Sequence, residues 1–368
     1  MKLLYLTNLP APYRVNFFNE LGKQADLTVL YERKTAGDRD SRWQAPQARH
    51  FRQVFLKGYA AGAASSFSPE VLRFVRDETY DVCIIGGYST PTEMLAISDM
   101  KRRKMRYILS IDGGFPSEKE RNLVRKLKTH FISGAALYLG TGANAEKYLT
   151  HYGAAADKIM HYHFTPLFQR DILTAPPALP EKNRLKKELG LSAEKIVLSA
   201  GRLLPLKRYD LLIEAAKNLP DTEVVIVGGR ADSYHMEMIK KSGAENVRFV
   251  DFLPYSGLAR FMRAADVFVM PSESDVWGMV ILEAMANGLP VIAAESCGAA
   301  ADLISEGKNG FITPKGDITK IREGLAFLLG SAETRCEFGN NSLSLIKEYT
   351  IENEVRDHLH AIHQFMGR

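Results

Sequence analysis

The stretch SESDVWGMVILEAMANGLPV, residues 272–291, decides how the second half of this chain folds. Its pattern predicts the end of a buried strand, a short loop, a helix that begins after Gly278 and a stop at Gly288. The predicted helix is apolar on almost every side, yet it contains Glu283, with Asp275 eight residues upstream. A carboxylate is rarely buried without a partner. Glu283 therefore accepts hydrogen bonds either from a neighbouring arginine or backbone amide, or from the hydroxyl groups of a bound ligand.

Short, β-branched apolar runs alternate with helical patterns along the whole chain. Such runs are typical of parallel strands that are covered on both faces. We therefore predict an α/β protein with two Rossmann-like, doubly wound parallel-sheet domains. The predicted strands cover residues 3–9, 27–32, 81–87, 106–112 and 137–142 in the first half, and 195–203, 223–229, 247–253, 266–272 and 290–295 in the second.

A Pro-rich and then charged stretch between the two sets of strands sets the predicted domain boundaries. We expect a first domain at 1–172, a linker at 173–190 and a second domain at 191–351. The last stretch, 352–368, predicts a helix that packs on a domain surface and rejoins the first domain. This stretch also carries three histidines, His358, His360 and His363. We expect them on a solvated face, because no carboxylate or cysteine completes a metal site there.

Length and composition limit the function classes. A chain of 368 residues with 46% hydrophobic and 25% charged residues is typical of a globular protein with two domains. No apolar run is long enough to span a bilayer, and the first residues predict a strand rather than a signal peptide. Three scattered cysteines form neither a disulfide framework nor a zinc site, which favours a cytoplasmic setting. The net charge is +9 over residues 1–170 and −4 over 171–368, so the first half favours anionic partners.

Two cations follow the first strand of the second half. Arg202 and Lys207, in SAGRLLPLK, lie in a loop between a strand and a helix, where packing requires neither. Cations at the end of a strand and near the start of a helix suit a diphosphate, and solvated loop charges are the alternative. The amides of Gly278, Met279 and Val280 start the next helix and offer further donors to a phosphate oxygen or a sugar hydroxyl.

Five segments between residues 195 and 316 occur in the order and spacing of a known family, and the chain resembles the retaining family 4 glycosyltransferases. The segments are GRLLPLK, VGGR, VRFVDFLPYSGLARFMRAADVFVMPS, the stretch from Asp275 to Ile304, and GKNGFITP. The resemblance implies the GT-B fold, in which two Rossmann-like domains face a cleft. It also implies a nucleoside diphosphate sugar as the donor substrate, and we expect no further cofactor.

The resemblance implies roles for individual residues. Arg202 and Lys207 would bind the diphosphate of the donor, and Glu283 would hold its ribose. Asp275 stands where the family has a glutamate that contacts the transferred sugar, and the amides between the two acids would contact sugar and phosphate. Aspartate is one methylene shorter, so the identity of the sugar stays open.

The segment RFVDFLP is expected to flank the base of the donor. The backbone at Phe252 and Leu253 would lie beside it, and Asp251 stands where the family often has glycine. Uracil and guanine both remain open.

The first domain is expected to hold the acceptor. Arg14 follows a Pro-rich loop and is a candidate for binding an acceptor phosphate, with a surface arginine as the alternative. Family members often carry a histidine after the fourth strand, but ILSIDGGFP offers Asp112, which either activates the acceptor or forms a turn. Tyr88 and Thr90 follow another strand and are further candidates for this pocket.

Residues 117–131 predict a basic amphipathic helix. Leu123, Val124, Leu127 and Phe131 share one face, and Arg121, Arg125, Lys126 and Lys128 fill the other. Such a helix either rests on an anionic membrane surface or covers its own sheet. The segment GDRDSRW, 37–43, contains Asp-x-Asp in a polar loop, and we predict no metal site there.

Together these patterns predict a metal-independent, retaining glycosyltransferase. It would move a hexose from a UDP- or GDP-sugar to a glycan acceptor, with a polyprenyl-diphosphate-linked acceptor as one option. The expected role is assembly of a bacterial surface polysaccharide such as capsule, O-antigen or exopolysaccharide, in the cytoplasm or on the inner face of the membrane. A nucleotide-sugar epimerase and a non-catalytic nucleotide-sugar-binding subunit are the alternatives. Nucleic-acid binding is not expected, because no stacking platform or recognition motif is present.

Overall fold

A computed structural model describes residues 1–35, 42, 45–61, 65–117 and 119–367. The Asp-x-Asp segment at 37–43 lies outside the described residues, apart from Arg42. The chain forms two compact units, one of Met1–Pro166 with Thr350–Arg368 and one of Leu167–Tyr349. None of the described helices combines the length and the apolar composition that crossing a bilayer requires.

Strands form two main sheets and a short hairpin. They are β1 Lys2–Thr7, β2 Asp26–Tyr31, β3 Arg52–Phe55, β4 Tyr59–Ala60, β5 Ser66–Phe67, β6 Val82–Ile85, β7 Ile108–Ile111, β8 Leu137–Gly140, β9 Ile159–His161, β10 Lys195–Ala200, β11 Thr222–Val227, β12 Val247–Val250, β13 Val267–Met270, β14 Val291–Ala294 and β15 Gly310–Thr313.

Helices connect most of these strands. They are α1 Pro12–Leu21, α2 Val71–Val75, α3 Pro91–Arg102, α4 Asn122–Ile132, α5 Ala143–His151, α6 Leu179–Glu188, α7 Tyr209–Ala216, α8 Ser233–Ser242, α9 Tyr255–Ala264, α10 Met279–Ala286, α11 Ala300–Leu303, α12 Ile318–Gly330, α13 Ala332–Ile346 and α14 Ile351–Met366.

Both main sheets are parallel and doubly wound. The first has the order β3-β2-β1-β6-β7-β8-β9, and the second has the order β12-β11-β10-β13-β14-β15. In each sheet the order reverses next to the first strand of its unit, as in Rossmann folds, which bind ligands beyond the carboxyl ends of the strands. The predicted fold class is confirmed, and each of the ten predicted strands is present.

The prediction missed β3, β9, β15 and the hairpin of β4 and β5. The central strands are continuous apolar runs with interior residues that are fully buried. The missed strands are short, and β3 and β9 are edge strands whose residues are half-buried or exposed. An edge strand does not need an apolar run, so periodicity carries no signal for it.

Helix α14 belongs to the first unit and packs against α1. Val355 and Ile362 are buried. The expectation of three solvated histidines is wrong for His358, which is fully buried with its ring centroid 4.5 Å from that of Phe17. Of the three histidines, His360 and His363 are the two that are exposed.

The stretch expected as a linker, 173–190, lies inside the second unit and includes α6. Buried Asp266 holds it there, because the Nζ atoms of Lys182 and Lys186 lie 3.0 and 3.4 Å from its carboxylate. The amide of Ile196 in β10 donates to the same carboxylate at 2.9 Å. Arg335 in α13 adds a third cation at 3.6 Å. One carboxylate thus joins α6, α13 and the first strand of the sheet.

We expect Asp266→Asn to lower the free energy of unfolding by about 3 kcal/mol, because buried ammonium groups lose their counter-charge. Urea denaturation followed by circular dichroism measures this loss. Glu237→Gln, which removes an exposed ion pair with Lys241 in the same unit, is the control and should leave the midpoint unchanged. Equal stability of Asp266→Asn and the wild type would show that the cluster does not anchor α6.

Candidate functional site

The six strands of the second sheet all end at its carboxyl edge, and two glycines allow the first two loops there to meet. Gly201 follows β10 and Gly228 follows β11, with φ of +147° and +148°. A Cβ atom on Gly228 would lie 2.0 Å from the carbonyl oxygen of Gly201. Only glycines satisfy both this contact and these dihedral angles. The loop that carries Arg202 and Lys207 is thereby fixed against the sheet edge.

Lys207 and Asp275, which the sequence treats as separate candidates, form an ion pair between Nζ and Oδ2. Their side chains are 12% and 21% exposed, so the pair is largely shielded from solvent. The backbone of Asp275 is fixed on both sides: its amide donates to Ser296 at 3.0 Å, and its carbonyl accepts from Gly298 at 3.0 Å. Arg202 lies partly exposed one residue after Gly201.

Helix α10 begins beside this pair. Gly278 caps it in the left-handed region, at φ +99°, which favours glycine. The buried Trp277 fixes the turn, because its carbonyl accepts from the amide of Ala299 at 2.7 Å. Met279 and Val280 are half-buried, and their first-turn amides have no hydrogen-bond partner among the described residues. The helix therefore presents free donors at the sheet edge.

Glu283 lies one turn further along α10. Its carboxylate makes no hydrogen bond or ion pair with any described residue, so neither the arginine nor the amide partner considered from the sequence is present. The backbone carbonyl alone is engaged, by the side-chain amide of Asn287 at 2.8 Å. Burial, and secondly the nearby Asp171, raise the pKa of Glu283 to about 8. A partly exposed carboxyl that the protein leaves unpaired is available to ligand hydroxyl groups.

Asp171 is a neighbour of Glu283 that sequence reasoning missed. It lies in a short 3₁₀ turn, Gln169–Asp171, where its carboxylate accepts from the amide of Phe168 at 2.8 Å. Tyr255, at the start of α9, is a second neighbour whose pKa is raised by burial and then by Glu283. Both lie far from Glu283 in sequence, and no motif links them.

The loop after β12 is the third at this edge. Arg230 Nε lies 3.2 Å from Asp251 Oδ2, and the amide of Phe252 donates to Asp251 Oδ1 at 2.7 Å. Asp251 therefore shapes the turn in which Phe252 and Leu253 lie half-buried.

In the first unit, the structure places Arg14 differently from both expectations. Its side chain is 6% exposed and forms ion pairs with Asp112 and, at 3.4 Å, with Glu354 of α14. It is therefore neither a surface arginine nor openly displayed to an acceptor phosphate. Asp112 directly follows β7, is 39% exposed, and also accepts from the hydroxyl of Tyr162 at 2.8 Å.

Thr90 and Tyr88 have internal partners. Thr90 is buried, caps α3 through the amide of Glu93 and donates to Glu32 at 2.6 Å. The hydroxyl of Tyr88 pairs with that of Tyr148. Within the part of the chain that the structure describes, no group of three or more histidine, cysteine or acidic residues is arranged to hold a metal ion.

Three comparisons with known proteins bear on the family and the fold. Residues 181–344 match the family model described as glycosyl transferases group 1. A D-inositol 3-phosphate glycosyltransferase from Kribbella flavida is 30% identical over 219 residues, 55% of this chain and 50% of that protein. The sulfoquinovosyl transferase SQD2 from Arabidopsis thaliana is 33% identical over 174 residues, 46% of this chain and 33% of that protein. The chain thus spans a third to a half of the length of these curated relatives.

The crystal structure of HepE from Anabaena in complex with UDP superposes with a TM-score of 0.80. The two sequences are 17% identical, and the match covers 99% of this chain and 100% of that chain. The likeness confirms the GT-B fold over the full length.

We expect Glu283→Gln to be as stable as the wild type at pH 5 and more stable at pH 8. When the pKa of a carboxyl is higher in the folded than in the unfolded protein, the protein loses stability as pH rises between the two values. For Glu283 this range is from about 4.5 to about 8. Because the residue is partly exposed, the expected gain at pH 8 is about 1 kcal/mol. Thermal unfolding across this pH range measures it. Glu323→Gln, on an exposed face of α12, is the control and should show no pH-dependent gain in stability. The same result for Glu283→Gln would contradict an unpaired carboxyl at this position.

Proposed function

We propose that this chain transfers a sugar from a nucleoside diphosphate sugar to a hydroxyl acceptor. Residues 181–344 match the family model described as glycosyl transferases group 1, which supports this proposal. The observation that carries the proposal is the edge of the second sheet. Cations, unpaired helix amides and an unpaired carboxyl lie there on successive loops, and each matches one part of such a donor.

The donor parts are assigned as follows. The diphosphate binds Arg202, Lys207 and the amides at the start of α10, and the ribose hydroxyls donate to Glu283. Asp275, already paired with Lys207, accepts from the transferred hexose. The base lies against the loop of Phe252 and Leu253, and a UDP- or a GDP-sugar fits this scheme.

The reaction proposed is a retaining transfer. The bond between the anomeric carbon and the diphosphate oxygen breaks, a new bond to the acceptor oxygen forms, and the acceptor proton passes to the departing phosphate. Lys207 and Arg202 stabilise the negative charge that develops on the diphosphate. In other transferases a metal ion stabilises this charge. The nucleoside diphosphate leaves as product.

The acceptor is proposed to be a glycan bound by the first unit. Asp112 accepts a hydrogen bond from its reactive hydroxyl and so orients it, until that proton passes to the departing phosphate in the reaction. Asp112 follows β7 at the carboxyl edge of the first sheet and is partly exposed. We assign the transfer to bacterial surface polysaccharide assembly, with a polyprenyl-diphosphate-linked glycan as the acceptor, because lipid-linked glycans are built at the membrane.

A second candidate is a nucleotide-sugar-binding subunit without transferase activity. The observation that favours it is Asp275, which is shorter than the family's glutamate and is tied to Lys207. In that case the wild type would be inactive and Asp275→Glu would create transferase activity. A working transferase, in contrast, is already active with aspartate at this position.

Helix α4 supports a membrane partner. Its first two turns are exposed all round, with Leu123 75%, Val124 40% and Leu127 49% exposed, and Arg125 and Lys126 flank this apolar stripe. The last turn alone is buried, through Phe131 and Ile132. The helix therefore covers its own sheet only at its end. Its free part matches an anionic lipid surface, and we propose that the protein works on the inner face of the membrane.

We expect UDP or GDP to raise the melting temperature of the protein. Arg202→Ala and Lys207→Ala should each abolish this rise. Each should also lower turnover of the matching UDP- or GDP-sugar by at least about 100-fold. Ligand at ~100 times its dissociation constant adds about 2.7 kcal/mol of stability. Differential scanning fluorimetry with UDP, GDP, ADP and NAD, followed by nucleotide release from the matching UDP- or GDP-sugar, measures both. Lys217→Ala, which removes a half-buried cation paired with Glu214 in the same unit, is the control. No shift with any nucleotide would contradict the donor site.

We expect the protein to bind phosphatidylglycerol vesicles and not phosphatidylcholine vesicles, in co-sedimentation at low salt. Leu123→Asp with Leu127→Asp, and separately Arg125→Glu with Lys126→Glu, should weaken binding by about tenfold or more, since each basic group near the surface contributes about 1 kcal/mol. Phe327→Asp, at an exposed apolar residue of α12, is the matched control and should bind as the wild type does. Equal binding by all variants would exclude α4 as the contact.

A further inference from the structure

Arg14 lies at the centre of a buried polar cluster in the first unit. Its guanidinium reaches Oδ1 of Asp112 and lies 3.4 Å from Oε1 of Glu354. The ring of Phe164 covers it, with the guanidinium carbon 4.5 Å from the ring centroid. Fully buried polar atoms around it have no hydrogen-bond partner among the described residues: Tyr5 OH, Ser110 Oγ, Glu354 Oε2 and His358 Nε2. The guanidinium is held beside its two carboxyl partners, because a buried charge is strongly unfavourable away from them.

Asp112 is held by one oxygen only. Arg14 and the hydroxyl of Tyr162 both donate to Oδ1, the latter at 2.8 Å. Oδ2 makes no hydrogen bond or ion pair with the residues that the structure describes, and the side chain is 39% exposed. Burial, and secondly Asp112, raise the pKa of Tyr162, so it remains a donor. The carboxylate therefore has a fixed orientation and one free oxygen.

Helix α14 completes the arrangement. Glu354 is 1% exposed, and the ring of His358, one turn on, lies between Phe17 at 4.5 Å and Tyr162 at 4.6 Å. The Nδ1 atom of His358 bonds the carbonyl of Glu354 at 2.8 Å. Burial raises the pKa of Glu354 to about 8, against the opposing effect of Arg14. The last helix of the chain thus supports both donors to Asp112.

We propose that Arg14, held by Glu354 of α14, is a positioning residue that fixes Asp112 so that its free Oδ2 accepts a hydrogen bond from the acceptor hydroxyl. This inference rests on the proposed transferase function and adds to it the residues that build the acceptor side. Arg14 touches neither donor nor acceptor and acts only through Asp112.

The role can be tested with water as the acceptor. In hydrolysis of a UDP-sugar, the bond from the anomeric carbon to the diphosphate oxygen breaks, water oxygen bonds the carbon, and one water proton ends on UDP. We measure nucleoside diphosphate release from UDP-glucose, UDP-galactose, UDP-N-acetylglucosamine and GDP-mannose, and continue with the best substrate. Arg14→Met and Asp112→Asn should each lower kcat by about 10- to 100-fold with the donor KM unchanged. Arg14→Lys should restore part of kcat.

The double variant Arg14→Met with Asp112→Asn decides the mechanism. Residues that act through one another are not additive, so the double variant should be no slower than Asp112→Asn alone. Glu354→Gln, which keeps the size of the side chain, should give a smaller loss in the same direction and covers the case in which Arg14→Met does not fold. Arg76→Met removes an arginine paired with Asp99 in the same unit and is the control with unchanged kcat.

The outcomes separate the two levels of the proposal. Unchanged kcat in Arg14→Met and Glu354→Gln, or a multiplicative loss in the double variant, would overturn the positioning role while UDP binding and hydrolysis by the wild type uphold the transferase. If the wild type neither binds UDP or GDP nor releases either nucleotide from the sugars tested, the proposed function is overturned and this inference with it.

Discussion

Parallel strand pairing is the constraint on which both units depend. Each strand must be reached by a crossover on the face of the sheet, so all carboxyl ends meet at one edge and the loops that leave them are brought together. In the second unit this edge unites loops that are up to about a hundred residues apart in sequence, from Gly201 to Gly298. The strands themselves are almost wholly apolar, so the polar groups of the unit that could act on a ligand are concentrated where the strands end.

Buried charge is used in two ways. Around Asp266, three cations and a backbone amide satisfy one carboxylate, and the result joins elements of the second unit. At the sheet edge the charges are not balanced. Lys207 has one carboxylate partner, whereas Glu283 has no partner among the described residues and lies near another acid, Asp171. An arrangement that leaves a group unpaired in the folded protein is unfavourable for stability.

The sequence predicts the sheets well and the charge partners poorly. Long apolar runs identify the buried strands, because burial on both faces leaves no polar position, and the Gly278 cap of α10 follows from local backbone rules. The ordered motifs likewise point to Lys207, Asp275 and Glu283, but not to the ion pair between the first two. Arg14 and Glu354 are 340 residues apart, and nothing local marks them as partners. The burial of His358 was missed because its side chain lies on the inner face of α14 beside an aromatic ring of α1.

The return of α14 to the first unit has a consequence for how the protein is made. Chains emerge from the ribosome in order, and a segment folds once its partners are available. The second unit is continuous from Leu167 to Tyr349 and has all its residues before α14 is synthesised. The first unit has its sheet early but lacks the helix that covers α1, so the guanidinium of Arg14 lacks one of its two carboxylate partners until residue 354 has been translated. Nascent first units would therefore expose the apolar side of α1 during synthesis of the second, a window in which chaperone binding or aggregation competes with completion of the fold.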